Sequence, residues 1–476
     1  MERIVIIGGG IAGLSAAYYA QKKAEQAGIP LEITVLEAEK RWGGKISTER
    51  LGEFVIEGGP DTFLATKPWG VSLCRELGLG ERLQGTNPLQ KNTYVLYKNR
   101  LRPLPDGLSM MIPTRFGPML RTSLLSWPAK ARMGFDFVIP ARTVNGDESL
   151  GAFVSRRLGR KAYENLIEPL MSGIYAGDGD QLSLQATFPF LRELELKYGG
   201  LGKGALAARK QASRAGKSTI GSRSAFLTPT TGLAEIVEAL TNRLASKGVT
   251  LVNGIAARNV IYNGSGYHIN LEGGDNLESQ RLILATQAFA SGELLKELDL
   301  ELAAELRAIP YTSTATVSLA YSQSELPRPL DGYGYVIPRR EGRQALACTW
   351  TSTKFPHRAP NGFALLRVFI GRAGQENEIT WDEAGLLDVA RQELRLTLGI
   401  TISPLFHRVF IWERAMPQYN LGHPDRLKRL ETALERWPGL ALAGNGYRGI
   451  GIPDCIHSGE LAAEAVFKNL GPAKIA

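Results

Sequence analysis

After Arg3 the chain runs Ile4-Val5-Ile6-Ile7, a continuous β-branched stretch that predicts a short strand buried on both faces. Gly8-Gly9-Gly10 follow at once. Ile11, Leu14, Ala17 and Tyr18 then recur at helical spacing, and the helix they predict runs to about Gly28. Ile33-Thr34-Val35-Leu36 predicts a second strand, ending at Glu37. Strand, glycine turn, helix and strand make one βαβ unit of a doubly wound parallel sheet.

Prolines between Pro103 and Pro140 cut the next part into short pieces, with Glu148–Leu170 predicted as a longer helix. Gly232–Ser246 has the spacing of an amphipathic helix. Strand-like runs follow at Thr250–Val252, Asn259–Tyr262, Tyr267–Leu271 and Arg281–Ala285. Those at Thr316–Tyr321, Leu346–Trp350 and Ala364–Ile370 predict a separate antiparallel sheet. A strand, a glycine loop and a helix return at Leu440–Phe467. A length of 476 residues suits two or three domains. The fold class expected is α/β (α+β overall). A doubly wound, Rossmann-like nucleotide-binding domain is assembled discontinuously from 1–95, 220–305 and 405–476, with a helical insertion at 96–219 and an antiparallel β-sheet domain at 306–404.

Composition narrows the class without naming a chemistry. With 44% hydrophobic and 22% charged residues, the chain has the make-up of a globular protein with a core, not of a disordered or fibrous one. The net charge of +9 admits nucleic acid, anionic lipid or an acidic small molecule as partner. From Lys197 to Arg223 there are bases (Lys203, Arg209, Lys210, Arg214, Lys217) and no acid. No aromatic ring interrupts that stretch between Tyr198 and Phe226, so it reads as a solvated face and not as a nucleic-acid surface. Cys74, Cys348 and Cys455 lie far apart, without metal-ligand or disulfide spacing, and the histidines are scattered, so no metal is expected and a reducing compartment is. No apolar run approaches the roughly 18 residues of a spanning helix. The apolar N-terminus runs directly into the glycines, unlike a signal peptide, so a cytoplasmic location is expected.

Gly8-Gly9-Gly10-Ile11-Ala12-Gly13 fits G-x-G-x-x-G between a strand and a helix. Gly8 serves the tight turn, Gly10 lets the backbone approach a pyrophosphate, and Gly13 lets helix and strand pack closely, with Ile11, Ala12 and Leu14 in the same turn. The phosphates would sit at the helix N-terminus and Glu37 would hold ribose hydroxyls. These residues do not separate NAD from FAD. The stretch Glu37-Ala38-Glu39-Lys40-Arg41-Trp42-Gly43-Gly44-Lys45 resembles the signature after the ribose-binding Glu of flavin amine oxidases. That resemblance implies that Gly43 and Gly44 turn beneath the pyrophosphate and that Lys45 supplies a charge to it. Leu440–Asn445 and Gly449-Ile450-Gly451-Ile452-Pro453 resemble the same family's closing FAD motif, implying a helix whose positive end faces the flavin. Asn445 stands where many relatives carry Asp. The FAD is expected to be non-covalent, because Cys455 lies past the loop and not where amine oxidases attach the flavin.

Further stretches resemble the bacterial coproporphyrinogen III oxidase and protoporphyrinogen oxidase family over nearly the whole chain. They are Glu57-Gly58-Gly59-Pro60-Asp61-Thr62, Pro169–Asp178 with its Ser172-Gly173-Ile174-Tyr175-Ala176-Gly177-Asp178, Trp412–Tyr419, and Gly449–Asp454. The resemblance implies FAD contacts from Gly59, Pro60, Asp61 and Thr62, with Trp412, Ile450, Gly451 and Ile452 along the isoalloxazine. Ala257 stands where relatives have Val against the adenine, and Gly58 where close relatives often have Arg. Lys67 matches a lysine of those relatives and is the candidate to pair with a substrate propionate or polarise the pocket, the other reading being a surface lysine. Ile174 is the candidate to face the macrocycle.

The activity so implied is oxidation of coproporphyrinogen III, and of protoporphyrinogen IX, to the porphyrin in haem biosynthesis. Each of three two-electron dehydrogenations passes a hydride from a meso carbon to flavin N5, and O2 reoxidises the flavin with release of H2O2. The competing reading is a flavin amine oxidase acting on a primary amine or polyamine, which needs an aromatic cage where Gly446-Tyr447-Arg448 offers one ring. Open at this point are a peripheral membrane contact, a hand-over to the next enzyme of the haem pathway, and a monomer or homodimer.

Overall fold

The computed structural model describes residues 2–109, 112–113, 115–144, 146–214 and 224–468. The βαβ unit is present as strand Glu2–Ile7, helix Ile11–Ala27 and strand Leu31–Glu37. The β-branched run forms a central strand because it has two apolar faces to fill. Ile4 and Ile6 point into the core that holds the first helix, while Val5 and Ile7 point into a second core on the opposite side. The parallel sheet has five strands in the order Thr250–Asn253, Leu31–Glu37, Glu2–Ile7, Arg281–Leu284, Leu440–Leu442. Segments from both ends and the middle of the chain thus meet in one sheet. The first helix, the helix Ala234–Ser246 and the closing helix Ile452–Phe467 cover one face.

A second sheet of seven strands runs in the order Phe406–Pro417, Tyr311–Ser322, Phe363–Ile370, Ala345–Trp350, Gly334–Val336, Thr93–Tyr97, Arg100–Pro103. Its central strands include the strand-like runs read at Thr316–Tyr321, Leu346–Trp350 and Ala364–Ile370. Its edges come from elsewhere: Phe406–Pro417 lies beyond residue 404, and the hairpin of Thr93–Tyr97 with Arg100–Pro103 straddles residue 95. Leu96 and Leu101 of the hairpin and Val409 of the other edge pack on the same core as the central strands. The helix Glu383–Leu398, N-capped by Asp382 (Gly385 N–H to Oδ1, 2.7 Å), buries Leu386, Ala390 and Leu394 against that sheet.

The helix expected at Glu148–Leu170 is displaced and interrupted. It begins at Leu150, where Ser149 Oγ accepts from Ala152 N at 3.1 Å, and stops at Leu158. Gly159, with φ +93°, breaks it; helix resumes at Arg160, passes through a π turn at Tyr163–Ile167 and runs on to Tyr175. Apolar spacing alone does not reveal such a break, since both segments keep the same buried face in one core. Of the basic stretch, the helix Leu201–Arg214 carries exposed Lys203 and Lys210, and Lys217 lies outside the described residues. Among the described residues no helix is long and apolar enough to cross a membrane.

Candidate functional site

The site begins at the carboxyl end of the parallel sheet, where the glycine turn enters the first helix. A Cβ on Gly13 would stand 1.9 Å from the Gly8 carbonyl oxygen, so no larger residue fits without moving the turn. The Gly43 amide donates to Gly9 O at 2.8 Å, which lays the second glycine turn, with Gly44, against Gly10. Glu37 closes the cradle: its Oε2 accepts from Gly9 N at 2.7 Å and its Oε1 from Glu39 N at 2.9 Å. Ile11, Ala12 and Leu14 are buried in the core, so they seat the helix, whereas Ala38 is exposed beside Glu37. Gly254 and Ile255 hang on the end of the second strand through Glu39 O (3.0 Å) and Glu37 O (3.2 Å), which brings half-buried Ala257 to the same corner.

Lys45 is half-buried and makes no hydrogen bond or ion pair among the described residues; the nearest ring, Tyr311, is 6.0 Å from its Nζ. Burial pulls its pKa down to about 8, opposed only by nearby Cys455. A lone ammonium between glycine turns is a site for an anion. Its backbone is locked to the next segment, since a Cβ on Gly59 would lie 1.8 Å from Lys45 O.

The Gly58 carbonyl accepts from Trp412 Nε1 (2.9 Å), Thr316 Oγ1 (2.8 Å) and Arg367 Nη2 (3.1 Å), and Arg367 also donates to Gly59 O. A side chain on Gly58 would meet the Phe410 ring at 2.6 Å. Arg367, from the neighbouring sheet, brings a positive charge here; it is 2% exposed, and its Nε and Nη1 lack hydrogen-bond partners among the described residues. Asp61 pairs with Lys354 at 3.1 Å and accepts from Thr62 Oγ1 at 3.0 Å. Burial alone would raise its pKa; the charges of Lys354 and Arg367 outweigh it and hold the carboxyl at about 2. Pro60, between them, is half-buried.

The closing loop is held from the helical side. Ile450 packs on the helical core, Gly451 caps the closing helix and Ile452 is its first, buried residue. Tyr419 donates to Asn445 O at 2.5 Å and stacks on His423 with centroids 4.3 Å apart. Burial lowers the His423 pKa to about 4, so its neutral ring pairs through Nε2 with Tyr447 O at 2.9 Å. Lys67 does not stand free. Its Nζ lies 2.6 and 2.7 Å from the two carboxylate oxygens of Asp454, at the start of the closing helix. Ile174 is 47% exposed at the end of the helix Glu168–Tyr175.

Four residues at the site were not singled out in the sequence. Arg41 donates to Ile46 O at 3.2 Å and to Gly44 O, and lies 5.7 Å over the Trp412 ring. Arg367, Asp454 and Tyr311 are the others. Arg367 had a visible sign, a charge inside the apolar run Phe363–Ile370, and Asp454 stood at the end of a quoted motif; Tyr311 had none.

Turns shaped for a diphosphate, an acid for ribose and a lone cation define a dinucleotide-cofactor protein of the doubly wound class. Residues 11–467 match the model of the flavin containing amine oxidoreductase family, and the chain belongs to that family. Its cofactor is accordingly a flavin. The chain is 38% identical over 462 residues to the coproporphyrinogen III oxidase of Bacillus subtilis, covering 97% of each. It is 33% identical to that of Staphylococcus aureus, over 98% of this chain and all of the relative. The crystal structure of a provisionally named protoporphyrinogen oxidase from Exiguobacterium sp. 255-15 superposes with a TM-score of 0.85 at 33% identity, covering 98% of both chains.

Proposed function

We propose that the chain binds FAD non-covalently and oxidises coproporphyrinogen III, and also protoporphyrinogen IX, to the porphyrin in haem synthesis, with O2 as acceptor and H2O2 released. The observation that carries the cofactor is Lys45, a half-buried ammonium without a partner among the described residues, set beside two glycine turns. Glycine turns with no room for a Cβ at Gly8, Gly9 or Gly13 and one unanswered positive charge fit a diphosphate. The substrate rests on the near full-length likeness to oxidases named for these porphyrinogens.

Bound FAD supplies the hydride acceptor. The chain supplies position and field. Gly8, Gly10 and Gly13 with Gly43 and Gly44 admit the diphosphate, Lys45 neutralises it, and Glu37 with Ala38 and Ala257 takes the adenosine end. Gly59, Pro60, Asp61 and Thr62 would contact the flavin, with Trp412, tied to Gly58, and the loop Ile450-Gly451-Ile452 lying along it. The seven-stranded sheet serves as the substrate-binding domain, and Ile174 meets the macrocycle at its edge. Three free cysteines, all buried, accord with a cytoplasmic protein.

The test is to mix the purified yellow protein with either porphyrinogen under air and follow porphyrin fluorescence. Faster turnover of the tetracarboxylate is expected. No porphyrin above the autoxidation blank with either substrate overturns the porphyrinogen reading. The amine-oxidase reading finds little support in the geometry, because Tyr447 is packed into the core beneath the parallel sheet and not into a cage.

A further inference from the structure

Lys67 and Asp454 come from opposite ends of the chain and meet at 2.6 and 2.7 Å. Lys67 directly precedes the helix Pro68–Glu76 and follows the segment that wraps the flavin site. Asp454 lies in the first turn of the closing helix, where its Oδ2 also accepts from Gly451 N at 3.2 Å. Ile452 and Cys455 share one buried core with Ile11 and Ala12 of the glycine turn, so this first turn borders the cofactor cradle.

A carboxylate is stable at a helix N-terminus, but it cancels the positive field that the helix end presents to its surroundings. Alone, Asp454 would turn the flavin-side end of the closing helix net negative. Lys67 answers that charge. The acid is the less exposed partner, 13% against 39% for the lysine, so water screens the carboxylate poorly and the lysine must do it. Two of the three ammonium hydrogens face Asp454, so a substrate propionate would have to compete with that carboxylate for Lys67.

We propose that Lys67 is a positioning and field-setting residue and not a propionate ligand: by pairing with Asp454 it keeps the first turn of the closing helix positive toward the flavin and so favours the reduced, anionic cofactor. This rests on the FAD reading above. It assigns the charge pair a place in setting the driving force for hydride acceptance, and leaves substrate carboxylates to other bases.

The test is equilibrium reduction of the purified flavoproteins against a reference dye, read by flavin absorbance. At the potential where the parent is half reduced, Lys67→Met is expected to have a reduced-to-oxidised ratio about tenfold lower, equivalent to about 30 mV for a two-electron couple. Asp454→Asn should shift the ratio the other way. The double variant and Lys67→Arg should both fall within about twofold of the parent, since the charge balance is kept. Asp454→Asn and Lys67→Arg keep the cycle readable if Lys67→Met folds poorly. Equal ratios in the parent and Asp454→Asn overturn the proposal. So does a raised KM for coproporphyrinogen in Lys67→Met at unchanged potential, which makes Lys67 a substrate ligand. Purified protein without a flavin spectrum overturns the FAD reading itself, and this inference with it.

Discussion

The indole N–H of Trp412 donates to the carbonyl of Gly58 at 2.9 Å, tying an edge strand of the seven-stranded sheet to the Gly58–Thr62 segment. Thr316 and Arg367 share the same oxygen. One acceptor with several donors is not left bare when one is removed, so Trp412→Phe should cost only about 1 kcal/mol of stability. The expected result is a small drop in denaturation midpoint together with faster flavin release, read as the appearance of free-flavin fluorescence on dilution. A loss of several kcal/mol would show that the indole, and not the shared carbonyl, holds the segment.

Lys45 predicts a pH dependence of cofactor binding. Its pKa is lowered to about 8 in the protein without a bound anion, and a diphosphate favours the charged form. Affinity of the stripped protein for FAD should therefore be flat below pH 8 and fall above it, by up to about tenfold per pH unit for one proton. Fluorescence titrations from pH 7 to 9.5 measure this. Lys45→Met should bind weakly at every pH and lose the slope.

Asp61 acts in the opposite pH range. Its folded pKa, about 2, is below the usual 3.8, so its contribution is fully present above pH 4 and is lost as pH falls toward 2. The shift corresponds to about 2 kcal/mol. Asp61→Asn should flatten that part of the stability curve and also leave Lys354 and Arg367 without their carboxylate. Chemical denaturation at a series of acid pH values, parent against variant, checks the sign.

Ile174 is half exposed, so a change there should act on substrate more than on folding. Ile174→Asp is expected to alter stability by less than about 0.5 kcal/mol while raising KM for the porphyrinogen about tenfold with little change in kcat. A KM equal to the parent's would place the macrocycle elsewhere.

Gly59→Ala tests the close approach of the two cofactor segments. The added Cβ would fall 1.8 Å from Lys45 O, and backbone on both sides must shift. The variant should purify colourless, or lose its flavin on gel filtration, while keeping a parent-like far-UV circular dichroism spectrum.

Local residue order was enough to reveal the cofactor cradle. Gly8 and Gly13 announce a turn because a Cβ at either would run into backbone, and Glu37 follows at the end of a β-branched strand. Those are short-range constraints, and a sequence displays short-range constraints directly. The central strands of both sheets were legible because they are short, continuous apolar runs, buried on both faces. Gly159 shows the limit, since the same residue type that marks the first turn also breaks a helix whose apolar stripe continues on either side.

What only tertiary structure decided is which distant groups meet. Nothing near Gly58 in the sequence reports that Arg367 brings a buried charge to its carbonyl, or that Phe406–Pro417 completes the second sheet. Lys67 shows it most plainly: its sequence position left a substrate base and a surface lysine both open, and nothing near it reports that Asp454, 387 residues away, pairs with it. Backbone conformation and amphipathic pattern are set by neighbours along the chain. Charge pairing is set by distance in space, falls off within a few ångströms of contact, and exists only once the chain has closed on itself.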